Sequence, residues 1–174
     1  MSNTRIAKLI LMVFFLGGVA TAAVYQEPSD FISEAFRGQP PAPEVLWLTG
    51  TLGSEVEELL GHPPFSKRLR YWREGARSVW VLDEIGKEQP ITTGIVIEDG
   101  RIATVRILVF RESRGWEVRH DFFTRQFSGA TLSGPDLDRS IDGISGATLS
   151  VIAVEKLARV ALLLDRSVAA KDLS

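Results

Sequence analysis

The chain contains, between residues 91 and 110, the run ITTGIVIEDGRIATVRILVF. Two β-rich segments flank Asp99-Gly100, and Asp-Gly in this setting is a strong signal for a β-hairpin, because Gly100 can adopt the positive φ of a tight turn. The second segment, Arg101 to Phe110, is long and predicts a central strand. This hairpin therefore indicates a sheet with antiparallel strands at the core of the fold.

A second hairpin is predicted just upstream. Residues 68–73 and 78–82 are rich in aromatic and β-branched side chains at a period of two, and Glu74-Gly75-Ala76 separates them. A basic stripe accompanies this hairpin, made of Lys67, Arg68, Arg70, Arg73 and Arg77. We interpret the stripe as a solvated strand face, with a docking surface as the alternative.

A helical pattern precedes the hairpins. Ser54 and Glu57 stand at the spacing of a capping box, in which each side chain bonds a backbone N–H of the helix start. This pattern predicts a short helix through Leu60 that stops at Gly61. His62 follows beside two prolines, and we interpret it as a loop residue and not as a ligand.

Two further helices are predicted after the hairpins. Residues 117–127 predict a short helix with an apolar face made of Val118, Phe122, Phe123 and Phe127. His120 falls on its polar side and is interpreted as solvent-facing. A long helix follows residue 148, with apolar side chains at Val151, Val154, Leu157, Ala158, Ala161 and Leu164. The order of elements predicts an α+β fold, in which helices pack on a mainly antiparallel sheet of hairpins.

Composition limits the chemistry. The 174 residues carry a net charge of −2, which gives no indication of a nucleic-acid partner. The absence of cysteine excludes thiolate metal sites, iron–sulfur clusters, c-type haem attachment and disulfides. With only two histidines in addition, we expect no metal site. Any redox chemistry would therefore need an organic cofactor.

The N-terminal residues 1–25 predict a signal peptide or a single-span membrane anchor helix. Arg5 and Lys8 precede an apolar run from Leu9 to Ala23, an arrangement that places the rest of the chain across the membrane. Ala20-Thr21-Ala22 fits a cleavage site, so a cleaved signal is favoured over a retained anchor. Both alternatives predict an extracytoplasmic location, on the periplasmic side.

The remaining chain divides into a lead-in and a domain. Residues 26–43 are polar and rich in proline, which predicts a linker with a short amphipathic piece around residues 31–36. We expect the globular domain to span residues 44–174.

A loop of small residues immediately precedes the last helix, in the run DGISGATLS at residues 142–150. The unpaired N–H groups and the dipole of a helix N-terminus favour an anion such as a phosphate. Ser145 or Thr148 could instead act only as a helix cap, and these physical arguments do not decide between the two readings. A serine-hydrolase elbow is excluded, because its last glycine is missing and both histidines lie upstream of Ser145.

The order Asp142-x-x-Ser145-Gly146-Ala147-Thr148 resembles the flavinylation motif of the FMN-binding domain family. That family includes the C and G subunits of sodium-pumping NADH:quinone reductase and of the Rnf complexes. The resemblance extends loosely over residues 91–164. It implies that FMN is linked covalently, by a phosphoester bond, to Thr148, that a separate magnesium-dependent flavin transferase attaches it, and that residues 145–149 contact the cofactor, Leu149 included.

The hexapeptide SGATLS occurs twice, at residues 128–133 and 145–150. Six positions before Thr131 stands Arg125, whereas Asp142 stands six positions before Thr148. The first copy also runs into Gly-Pro instead of a long helix. The resemblance therefore assigns the attachment to Thr148.

The loop after the long strand is a second point of comparison. The reductase subunits carry His-Glu-Thr-Pro-Gly there, near the flavin, and this chain has Arg111-Glu112-Ser113-Arg114-Gly115. Only the glutamate and the glycine match, which indicates a divergent branch of the family. The resemblance implies cofactor contacts from residues 112–116. Trp116 would stack on the isoalloxazine ring or pack in the core, and Arg114 would neutralise the phosphate or reduced flavin or be solvated.

The sequence thus predicts an extracytoplasmic electron-transfer flavoprotein that serves membrane redox partners. FMN would carry the redox chemistry, so no catalytic residue is predicted and the protein is expected to be an electron carrier rather than a stand-alone enzyme. The alternative is a flavin-free or loosely FMN-binding accessory domain of a membrane complex.

Overall fold

A computed structural model describes residues 22–171, in which a six-stranded antiparallel sheet packs between helices. The strands of this sheet are β1 Ala23–Val24, β2 Glu44–Trp47, β3 Arg68–Glu74, β4 Arg77–Ile85, β5 Pro90–Glu98 and β6 Arg101–Phe110. The helices are α1 Pro28–Ala35, α2 Gly50–Leu60, α3 Asp121–Thr124 and α4 Thr148–Lys171. A small separate hairpin consists of β7 Leu132–Ser133 and β8 Asp136–Leu137. The predicted α+β class with an antiparallel sheet is confirmed.

The strands follow one another in the sheet in the order β1-β6-β5-β4-β3-β2. Both predicted hairpins are present, β3–β4 and β5–β6. The prediction that the strand 101–110 is central was wrong, because β6 has only the two-residue β1 on its outer side and the central places belong to β4 and β5. Position in a sheet depends on pairings between distant segments, which strand length alone does not reveal.

The long helix α4 covers one face of the sheet. Its buried side chains pack on inward side chains of β4, β5 and β6, among them Trp80, Ile95 and Ile107. Asp165 is buried in this interface and accepts a hydrogen bond of 2.6 Å from the Ser78 hydroxyl. α4 therefore crosses the sheet as one rigid element, and its N-terminal turn has a fixed position.

The opposite face of the sheet is covered by α1. Phe31 and Ile32 of this helix are buried against Val79 and Val96 of the sheet. The fit is close, since a Cβ on Gly94 would overlap the Phe31 ring. The amphipathic piece expected within the linker is therefore a helix that belongs to the packed structure, which begins upstream of residue 44.

Two predicted helices differ from the structure. α2 begins at Gly50, not after Ser54, and Ser54 donates instead to the Gly50 carbonyl within the helix. Residues 117–127 form no continuous helix: α3 lies between two short 3-10 turns, Trp116–Arg119 and Arg125–Phe127. Tertiary packing explains the break, because this segment is anchored by buried side chains whose spacing does not fit a single helix, namely Val118, Phe123 and Phe127.

Residues 1–21 of the predicted signal or anchor segment lie outside the described residues. Between residues 22 and 171, no helix has both the length and the apolar character needed to cross a membrane.

Candidate functional site

One end of the sheet, called the site end below, brings the predicted site segments together. The β4–β5 turn at residues 86–89, the loop 111–115 after β6, and the first turn of α4 all lie there. The opposite end carries the β3–β4 and β5–β6 turns. The site end therefore contains the two segments that the sequence singled out.

A tight turn leads into α4. Ala147 donates its N–H to the Ile144 carbonyl at 3.0 Å, and Gly146 takes a φ of 82° at the third position of this turn. A positive φ at this place is easy only for glycine, so Gly146 sets the direction in which the helix starts. Val151 then donates to the Ala147 carbonyl at 2.9 Å, which begins the helical bonding.

The first turn of α4 presents free hydrogen-bond donors. The N–H groups of Thr148, Leu149 and Ser150 have no acceptor within residues 22–171. The side chain of Thr148 is exposed, and neither its hydroxyl nor that of Ser145 makes a hydrogen bond to another part of the described chain. The helix therefore begins without the side-chain cap that the alternative reading required, and its donors are available to an anion.

The loop 111–115 packs directly against this helix start. Gly115 is buried with a φ of 87°, and a Cβ there would overlap the Ser150 hydroxyl and lie 3.6 Å from the Ala147 Cα. The positive φ and the position of the Ser150 side chain both favour glycine here. The matching glycine of the loop therefore has a packing role that fixes the loop against the motif.

Glu112 has a structural task in the same region. One of its carboxylate oxygens accepts the N–H groups of Lys87, Glu88 and Gln89, at 2.5 to 2.9 Å. Partial burial acts to raise the pKa of Glu112, but these three donors outweigh it and lower the pKa below the usual glutamate value. Glu112 thus holds the β4–β5 turn at the site end through one of its carboxylate oxygens.

The other predicted loop residues are on the surface. Ser113 and Arg114 are exposed, and Arg114 has no ion pair or hydrogen bond within residues 22–171. Trp116 is 41% exposed, so it is not a core residue. Arg119 lies over its ring at 5.0 Å from the centroid and also contacts the Tyr25 ring at 4.6 Å.

This aromatic–cationic contact was missed from the sequence. Tyr25 fell within the predicted N-terminal segment, and Arg119 fell within a predicted helix without a marked role. His120 meets the Trp116 ring edge-on, with centroids 5.4 Å apart, so it is a neighbour of the site and not a purely solvated residue. No sequence signal joined these residues, because the contact depends on the 3-10 turn after Gly115.

Asp142 lies in the loop before the turn. Its backbone N–H donates to the Gln126 side chain at 2.7 Å, and its carboxylate is exposed without a hydrogen-bond partner in the described chain. The bond to Gln126 fixes the loop backbone while the carboxylate stays accessible. The structure thus exposes Asp142, Ser145, Gly146 and Thr148 along one segment that leads into α4, while Ala147 between them is buried in the core.

The upstream copy of the hexapeptide has a different environment. The Thr131 hydroxyl donates to the Asp138 carboxylate at 3.1 Å, although the preceding alanine is buried in both copies. The Arg139 guanidinium, together with Thr131, lowers the pKa of Asp138 to about 2. This copy continues into the strand β7, where its backbone is paired. Identical sequences therefore give one engaged threonine and one open threonine.

The residues at the site end fit the phosphate of a flavin mononucleotide. Three unpaired N–H groups, a helix dipole and an accessible hydroxyl meet at Thr148. An exposed aromatic ring at Trp116 follows the glycine that touches this turn. No group of three acidic or histidine side chains able to hold a metal ion occurs between residues 22 and 171.

Comparison with known proteins bears on the same segments. No significant match was found among curated proteins or among solved structures. Residues 86–163 match the model of the FMN-binding domain family, and this range includes the β4–β5 turn, the loop 111–115 and Thr148. The predicted resemblance to the FMN-binding domain family is thereby confirmed. Residues 86–163 therefore form an FMN-binding domain, and the protein is a flavin-binding protein whose cofactor is FMN.

Proposed function

We propose that the protein is an extracytoplasmic electron carrier with FMN joined through its phosphate to the Thr148 hydroxyl. A flavin transferase would form this bond, and membrane redox proteins would exchange electrons with the bound flavin. FMN supplies the redox chemistry when bound. The chain's own residues hold, orient and expose it.

The contrast between the two threonines carries this proposal. Thr148 stands at an open helix start, whereas the hydroxyl of Thr131 is bonded to Asp138. A modifying enzyme must reach the acceptor hydroxyl and place a phosphate beside it, and the unpaired N–H groups of residues 148–150 favour that negative charge. The accessible threonine and the anion-binding groups coincide only at the second copy.

The loop after β6 supports the same site. The loop packs against the first turn of α4 at Gly115, and Glu112 at its start accepts a hydrogen bond from the β4–β5 turn. A loop held at both points can position Trp116 beside a flavin without large ordering on binding. Arg114 and Arg119 supply positive charge near the loop.

Expression of the full-length protein with and without a flavin transferase tests the proposal. We expect a fluorescent band that survives denaturing electrophoresis only when the transferase is present. A protein that stays colourless with an active transferase, yet still co-purifies with a membrane partner, would contradict the proposal. That result would favour the flavin-free accessory domain.

A further inference from the structure

Two large aromatic side chains are exposed at the site end, on its β2–β3 side. Trp47 closes β2 and is 58% exposed, and Phe65 precedes β3 and is 60% exposed. The neighbours of Trp47 in the chain, Leu46 and Leu48, are both buried in the core. Neither aromatic ring is therefore needed to complete the core, and both residues lie at the same end of the sheet.

Basic residues lie beside Trp47 in the sheet and two positions after Phe65 in the chain. Arg68 is the cross-strand partner of Trp47, Arg70 is that of Val45, and Lys67 directly precedes β3. All three basic side chains are exposed and have no carboxylate partner within residues 22–171.

Three acidic side chains of β4 and its turn are already engaged. Glu84 is buried between His62 and Lys156, and Asp83 accepts a hydrogen bond from Thr92. Glu88 pairs with Lys87 at 3.4 Å. The positive charge of residues 67–70 is thus not neutralised locally, although the whole chain carries a net charge of −2.

The chain also enters the fold at this end. Ala23 pairs with Phe110, the last residue of β6, so residue 22 lies where β6 ends. The apolar segment expected upstream would emerge beside Gly115 and the start of α4. Three features thus share one end of the molecule: the chain entry, the proposed attachment residue Thr148, and the aromatic–basic surface.

We propose that the surface formed by Trp47, Phe65, Lys67, Arg68 and Arg70 rests on an anionic phospholipid bilayer. Tryptophan and phenylalanine rings favour the boundary between headgroups and acyl chains, and lysine and arginine attract anionic headgroups. Aromatic and basic side chains grouped at one end fit such a surface. The basic stripe is then a docking surface over residues 67–70.

This orientation would keep the flavin close to the membrane. The site end is about 20 Å wide from β2 to β6, because neighbouring strands lie about 4.8 Å apart. Redox proteins in a bilayer that contacts Trp47 would therefore also lie close to Thr148. The inference rests on the proposed extracytoplasmic, membrane-linked function, but the lipid contact can be measured without FMN.

Site-specific labels can test the contact, because the chain has no cysteine. We suggest full-length Phe65→Cys and Glu74→Cys proteins, each carrying an environment-sensitive thiol dye. Glu74 is exposed at the β3–β4 turn and marks the opposite end of the sheet. Each protein is mixed with neutral phosphatidylcholine vesicles or with vesicles that also contain phosphatidylglycerol and a brominated lipid quencher.

We expect the dye at position 65 to shift to the blue and to be quenched with the anionic vesicles, while the dye at 74 stays unchanged. Lys67→Gln and Arg68→Gln should each lower the equilibrium constant for contact on the order of fivefold. Equal responses of both dyes, an equal response with neutral vesicles, or no effect of the charge variants would overturn the proposal. So would a response of the 65 dye to a soluble protein fraction but not to vesicles.

Measuring the FMN content of the same proteins separates the two claims. Lys67 and Arg68 lie near the β2 edge of the sheet, and β6 lies near the other edge. Their substitution should therefore leave attachment at Thr148 intact. In the labelled proteins that keep Lys67 and Arg68, absence of vesicle contact with FMN still present would sink the membrane surface alone. Absence of FMN with vesicle contact intact would sink the flavin proposal alone.

Discussion

At the scale of single residues, a buried carboxylate organises the loop after α2. Glu84 is only 2% exposed, and His62 Nε2 lies 2.9 Å from one of its oxygens. His62 Nδ1 lies 2.8 Å from the Pro63 carbonyl. Both neighbours can only accept, so the ring satisfies them when both nitrogens carry protons. Lys156 completes the cluster by donating to the Leu60 carbonyl and approaching Glu84.

This geometry gives a pH-dependent contribution to stability. The hydrogen bond that His62 donates to the Glu84 carboxylate, aided by the one to the Pro63 carbonyl, raises the pKa of His62 above its usual 6.5. A raised folded-state pKa means that the contribution is fully present below 6.5 and is lost as the pH rises through the raised value.

We therefore expect His62→Gln to lower the free energy of unfolding by about 1–2 kcal/mol at pH 6, the range for a charge-assisted hydrogen bond that solvent partly screens. The difference from the wild type should shrink by pH 9. Urea unfolding at both pH values measures it, with His120→Gln as a control whose ring packs on Trp116 and Phe122 and makes no hydrogen bond within the described chain. A difference that is constant or grows with pH would contradict this account.

His62 also shows a limit of reading the sequence alone. Its place in a loop was predicted, but its partner Glu84 lies on a strand 22 residues away, and no local pattern joins them. The two copies of SGATLS show the opposite case. Asp142 and the following helix, which the sequence does show, favour the second copy, and the structure adds the engaged hydroxyl of Thr131.

At the scale of elements, the contact between the loop 111–115 and α4 depends on Gly115. Its φ of 87° and its overlap with Ser150 both disfavour a side chain. Gly143 has neither restriction, since no atom lies within 4 Å of a Cβ placed there. The two glycines thus provide a matched pair for testing whether this packing holds the site.

Gly115→Ala should lower the free energy of unfolding by about 2–3 kcal/mol, through left-handed strain and displacement of the loop. It should also slow the attachment of FMN. Gly143→Ala should change stability by less than about 1 kcal/mol. Denaturant titration and flavin fluorescence measure the two effects, and adding Ser150→Ala to Gly115→Ala should recover part of the loss. Equal effects of both glycine substitutions would refute the packing role.

Local signals located the elements unequally. The hairpins were predictable because a period of two and the Asp99-Gly100 turn are local properties. Helix boundaries were not: the capping-box pattern at Ser54 falls inside α2, where the hydroxyl bonds a carbonyl instead. Among the adjacent phenylalanines, packing chose Phe123 for the core and left Phe122 61% exposed, which a helical period could not foresee.

At the scale of the whole molecule, different helices cover the two faces of the sheet. α4 covers one face, and the N-terminal α1 covers part of the other through Phe31. The sequence predicted a linker in this region, because prolines and polar residues surround a helix of only eight residues. Much of the core arrangement on that face therefore depends on a segment upstream of the FMN-binding domain.

Phe31→Ala should lower the free energy of unfolding by about 3–5 kcal/mol, since it leaves a cavity above Gly94 in a closely packed interface. Phe122→Ala is the matched control, with an expected change below about 1 kcal/mol because that ring is exposed. Chemical denaturation of both variants measures the difference. Similar small losses for both would show that α1 contributes little to the fold.

The central claim is that FMN is attached to Thr148. Trypsin can cleave after Arg139 and so separates the two candidate threonines into the peptides 126–139 and 140–156. Mass spectrometry of the protein made with a flavin transferase should find an added FMN, less one water, on peptide 140–156 alone. The addition should vanish in Thr148→Ala and persist in Thr131→Ala. Flavin on peptide 126–139, or on a protein that lacks Thr148, would contradict the account.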